Sequence, residues 1–127
     1  MRVQTIRLPG PKKVEPIHRE IPGLEEDQVL VQTHQSSICG TDKNIYQGIL
    51  PPGMEYPITL LGHEGGGMVM EVGKKVRRYR VGDRVMSCHN NGTFADFFVS
   101  REENLHPIPA EMEMELGCLG EPLACAM

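Results

Sequence analysis

No apolar run in this chain approaches the ~20 residues of a membrane-spanning helix. The first residues likewise lack the apolar stretch of a secretory leader. Basic runs are also missing and the formal net charge is −4, which argues against nucleic acid or a membrane surface as a partner. The four cysteines, Cys39, Cys88, Cys118 and Cys125, form no C-x-x-C pair. In a leaderless chain they read as reduced thiols, so a cytoplasmic protein is expected. The G-x-G-x-x-G that cradles a dinucleotide is absent too: Gly65 and Gly67 are followed by Met70 where the third glycine belongs. No internal repeat, low-complexity tract or linker divides the sequence.

What remains is a chain of 127 residues, long enough for one domain with a real core. Its 14 glycines and 10 prolines, beside 39% hydrophobic residues, favour many short strands joined by turns. Met1 to Leu8 alternates apolar and polar residues, a half-buried strand ended by Pro9-Gly10-Pro11. Val14 to Glu20 is a weaker strand and Gln28 to Thr33 a good one. Strands at this spacing, with little helix, predict a small barrel or sandwich.

The most distinctive stretch is Leu61 to Val76. It sets His63 and Glu64 in an apolar, glycine-rich run that turns to strand at Met68 and closes at Gly73-Lys74-Lys75. Gly62, Gly65, Gly66 and Gly67 permit close approach to the backbone. The pair reads either as metal ligands or as a hydrogen-bonded histidine in a hairpin. The zinc-protease motif HExxH is excluded, because Gly67 stands at its second histidine. Upstream, a strand gives way at Cys39-Gly40, and Thr41 or Asp42 can cap a short helix through Tyr46. A cysteine at a helix N-terminus has its thiolate favoured, which suits a ligand or nucleophile, although a structural thiol is the commoner case. With His63-Glu64 downstream, Cys39 becomes the second arm of a zinc site.

Gly62-His63-Glu64-x-x-Gly67, with Gly73 and Val76 at their spacing, resembles the zinc signature of the medium-chain dehydrogenases, the zinc-dependent alcohol dehydrogenase superfamily. Cys39-Gly40-Thr41-Asp42 resembles the first zinc-ligand motif of that family. The run Val76 to Val85 looks like another of its hallmarks, and Gly92 to Val99 is similar to a later strand. Glu121-Pro122-Leu123-Ala124 resembles the polyol, threonine and sugar branch, in which a glutamate replaces a third zinc-ligand cysteine.

The resemblance implies a mainly β, GroES-like, partly open barrel with a few short helices. It implies one catalytic zinc held by Cys39 and His63, with Glu64 and Glu121 both open as direct or water-mediated ligands. Thr41 matches a hydroxyl that relays the alcohol proton. The implied reaction is hydride transfer between a small-molecule alcohol or carbonyl compound and NAD or NADP, with zinc as Lewis acid.

Two departures from the family pattern stand out. Many members carry four closely spaced cysteines that hold a structural zinc; here Cys88 stands alone, so no structural zinc is expected. Threonine dehydrogenases of this type carry a histidine where this sequence has Asn44, which puts threonine as substrate in doubt. Cys88-His89 reads as a loop near the cleft, and His18, His34 and His106 read as structural. Beyond Pro107 and Pro109, a helix is expected to open on the acids of Glu111 to Leu116.

The Rossmann domain that follows in the family has no counterpart here. Residues 1–127 are therefore expected to be the catalytic domain of a longer dehydrogenase, inactive alone and self-associating through apolar surface around Met112 to Met127. The competing expectation is a stand-alone GroES-like barrel that binds metal or a partner without catalysis.

Overall fold

The computed structural model describes residues 1–89 and 92–127. Its strands are β1 (Arg2–Gly10), β2 (Lys13–Glu20), β3 (Gln28–Ser37), β4 (Glu64–Val72), β5 (Arg84–Ser87), β6 (Phe97–Arg101) and β7 (Leu105–Pro107). Its helices are α1 (Gly40–Gln47), α2 (Met114–Gly117) and α3 (Gly120–Ala126). β1 and β2 form a hairpin, and the other five strands form a sheet in the order β6-β3-β4-β5-β7. Every strand pairing among the described residues is antiparallel, so they contain no βαβ unit. The sheet is open, and single bridges Thr5–Ala95 and Leu8–Ile58 tie the hairpin to it. This is the mainly β, partly open fold with short helices that the sequence predicts.

β3 is the pivot. It is paired on both edges, with β4 and β6, and covered on both faces. Val29 and Val31 enter a core with Val69, Val85, Phe98 and Leu105, whereas Leu30 faces the hairpin and meets Val3 and Ile21. Three consecutive apolar residues are therefore buried, which a strand with one wet face could not arrange. A further cluster, Leu8, Ile45, Ile58 and Leu61, fastens α1 to the hairpin and to the approach of β4. Each such side chain contributes about 1.5–3 kcal/mol by leaving water.

Four predicted boundaries shift, each for a visible reason. β1 continues past Leu8 to Gly10, because the reversal falls at Pro11-Lys12, where Lys12 takes a left-handed φ of 60° and donates its N–H to Tyr46 O at 2.7 Å. β3 runs on to Ser37, with its register slipping between Thr33 and Gln35. β4 begins at Glu64 and not at Met68, so Gly65, Gly66 and Gly67 lie within the strand, paired with β3 on one side and β5 on the other. The acid-led helix does not open at Glu111: Arg84 takes the carbonyls of Ala110 and Met112 for its guanidinium, and α2 starts at Met114. Cys88 and His89, read as a loop near the cleft, follow the end of β5 outside any helix or strand, and residues 90 and 91 lie outside the described residues.

Candidate metal centre

The sheet register builds the site. Ser37 at the end of β3 faces Glu64 at the start of β4, so the residues just beyond these strand ends, Cys39 and His63, meet across the gap. Gly62, at a left-handed φ of 91°, turns the chain into β4 and presents His63. Cys39 Sγ lies 3.1 Å from His63 Nε2, which in turn lies 3.8 Å from Glu64 Oε1. One ligand atom each from Cys39, His63 and Glu64 falls within 4.8 Å of the others.

This donor set fits zinc. With Zn–S near 2.3 Å and Zn–N near 2.1 Å, tetrahedral ligation puts sulfur and nitrogen about 3.6 Å apart, close to the spacing found. A thiolate, an imidazole and a carboxylate also leave one position for a substrate oxygen.

The cap of α1 is Cys39 itself, and not Thr41 or Asp42 as the sequence reading has it. Asp42 stands three residues on, buried, and its Oδ2 accepts the Cys39 N–H at 2.9 Å. Its Oδ1 is 3.9 Å from His63 Nδ1, on the side of the ring away from Cys39 and Glu64. One carboxylate thus braces both putting-in points of the cluster, the thiol's backbone and the imidazole's far nitrogen. Sequence reasoning took Asp42 only as a capping candidate; the spacing from Cys39 was the signal for more. Gly48 closes the helix in the left-handed conformation, its N–H reaching the carbonyls of Asn44 and Ile45.

Glu121, in the first turn of α3, lies outside the three-residue cluster but close enough to the Glu64 carboxyl to act on it. Burial, the contact with Glu121 and its charge all push the Glu64 carboxyl above the usual carboxylate range, while His63 works the other way. One turn along α3, Cys125 Sγ donates to Glu121 Oε1 at 3.2 Å, and that contact raises the Cys125 thiol. Burial, with Glu121 as the second cause, raises Cys88. Neither of these thiol contacts was read from the sequence.

A cleft of about 330 Å³ opens on the cluster, lined by Thr41, Ile45, Pro51, Met54, His63 and Cys88 among others. Thr41 and the Cys88-His89 segment therefore stand beside the site, whereas His18, His34 and His106 lie on β2, β3 and β7 away from that lining. His34 instead meets Glu115 of α2, with Nε2 2.9 Å from Oε1.

The profile of the alcohol dehydrogenase GroES-like domain matches residues 25–110. D-arabitol-phosphate dehydrogenase of Enterococcus avium is 30% identical, over 95% of this chain and 42% of its own length. The crystal structure of 2R,3R-butanediol dehydrogenase from Bacillus subtilis superposes with a TM-score of 0.85 at 29% identity, covering 98% of this chain and 45% of that one. An alcohol dehydrogenase from Escherichia coli CFT073, in complex with NADH, gives 0.82 at 26% identity, covering 98% and 44%. The chain spans less than half the length of these relatives. Fold, donor set and profile agree: the chain belongs to the medium-chain dehydrogenase/reductase superfamily, on its zinc-type polyol and sugar dehydrogenase branch, as an alcohol dehydrogenase GroES-like domain.

Proposed function

We propose that this chain is the zinc-binding catalytic domain of an NAD(P)-dependent dehydrogenase acting on a polyol, a sugar or a related secondary alcohol. The observation that carries the reading is the convergence of Cys39, His63 and Glu64 within 4.8 Å, with His63 also lining a cleft. Zinc bound there supplies Lewis acidity toward a substrate oxygen, and the nicotinamide supplies the hydride acceptor.

The residues of the chain divide the remaining work. Asp42 faces His63 Nδ1 and so favours the tautomer that leaves Nε2 free to ligate. Thr41 lines the cleft, and in this reading its hydroxyl is the group that takes the alcohol proton outward. Ile45, Pro51 and Met54 give the cleft apolar walls that exclude water, at a volume suited to a small molecule. Glu121 meets Glu64 and forms the second carboxylate of the centre, in direct or indirect contact with the metal. The cofactor site belongs, in this reading, to a further domain of the full-length protein.

Metal analysis of the purified chain tests the proposal. About one zinc per chain, lost in Cys39→Ala, is the expected result. A wild-type chain that takes up no zinc on reconstitution, or a Cys39→Ala chain that keeps it, refutes the assignment.

A further inference from the structure

Glu121 is remote in sequence from the other ligand candidates, and something must bring it to them. Successive side chains alternate across a strand, so Glu64 and Gly66 of β4 face the same side of the sheet, about 6.6 Å apart. On that side, the buried Cys118 rests on the bare backbone of Gly66: a Cβ placed there would lie 2.9 Å from Cys118 Sγ. Gln35 of β3, beside the register slip, is the strand partner of Gly66. Cys118 closes α2, and only Leu119 and Gly120 separate it from Glu121 in the first turn of α3.

We propose that Cys118, seated on Gly66, is the positioning residue that delivers the Glu121 carboxylate to Glu64 and so sets its contribution to metal binding; this rests on the metal-site reading above. The neighbouring contacts act in the same direction. Gly120 lies against Met86, where a Cβ would stand 2.0 Å from the sulfur, and Met86 is the β5 partner of Gly66. Gly117 packs on Ile108, and Glu115 is held by His34. Small residues at 117, 118 and 120 let α2 and α3 sit close to the sheet, and of the three Cys118 is the one that rests on Gly66.

A cobalt(II) titration of the 127-residue chain, followed by its visible absorption, separates this proposal from the reading on which it rests. Cys39→Ala is expected to abolish cobalt binding, which upholds the metal site. Glu121→Gln is expected to weaken binding about tenfold, the usual scale for an outer-shell partner. In a Cys118→Ala background, the added effect of Glu121→Gln is expected to shrink to less than about twofold, because the carboxylate is no longer held in place. Gly120→Ala, which displaces α3 without opening the core, is expected to uncouple Glu121 in the same way and serves if Cys118→Ala does not fold. An undiminished tenfold effect of Glu121→Gln in both backgrounds overturns the positioning role while leaving the metal site intact. No effect of Glu121→Gln in the wild type also overturns it. Binding that survives Cys39→Ala overturns the metal reading and the proposal together.

Discussion

Glu64 is only 5% exposed, yet a second carboxyl group, that of Glu121, acts on it. Without a cation this is an unfavourable place for a negative charge, and the Glu64 carboxyl titrates above its ordinary value for that reason. Between the unfolded and the native value, the folded chain therefore binds more protons at Glu64 than the unfolded one. The stability this supplies is complete below the unfolded carboxylate value and drains away as pH rises through the native one. Glu64→Gln should remove that penalty: the metal-free variant should gain about 1 kcal/mol at neutral pH and lose part of the wild type's decline in Tm between acid and neutral pH. The same variant should bind zinc more weakly, because an amide replaces a carboxylate ligand. A Glu64→Gln melting profile that follows the wild type at every pH would show that the raised Glu64 carboxyl contributes nothing. Cys39, His63 and Glu64 were legible in the sequence because their chemistry sits in compact motifs. Asp42 was only half legible, since a helix cap and a ligand brace share the same spacing. Cys118 was not legible at all: its partner, Gly66, is remote in the chain and has no side chain to advertise the contact.

At the scale of the element, β4 carries both halves of the molecule's logic, core and site. Its Met68–Val72 half was readable as strand, and the glycines before it were readable as a place of close backbone approach, though not as part of the same strand. The reason is crowding: an ideal Cβ on Gly67 would stand 1.8 Å from Gln32 O, a backbone atom of β3 that cannot withdraw without breaking the pairing. Gly67→Ala should thus cost about 3 kcal/mol or more in urea unfolding. Gly10→Ala, where a Cβ meets nothing within 4 Å, should change stability by less than about 0.5 kcal/mol. Equal effects at the two positions would mean that β3 and β4 are not packed as closely as described. The helix predicted from Glu111 failed on the same kind of long-range contact. Local propensity favoured a start at the acids, but Arg84 on β5 claims the carbonyls that the first turn would need.

At the scale of the whole molecule, α2 and α3 present an apolar face to solvent. Met86, Ile108, Met112, Leu116, Leu119 and Leu123 line an apolar groove of about 400 Å³ where α2 and α3 cross the end of the sheet, and Leu116 and Leu123 are 58% and 63% exposed. Apolar side chains clustered in this way are costly to keep in water and mark surfaces that are normally covered. Because the chain spans less than half of its relatives, a further domain is one cover and a second copy of the chain is the other. For the 127-residue chain alone, the second copy is the cover at hand, and a dimer populated as concentration rises is the expected outcome in sedimentation equilibrium. Replacing both exposed leucines, Leu116→Glu with Leu123→Glu, places charges in the groove without touching a buried core residue. The double variant should sediment as a monomer while melting within a few degrees of the wild type. A wild-type chain that is monomeric at every concentration would remove self-association as the cover, and would leave the groove to be tested against a longer polypeptide that includes the cofactor domain.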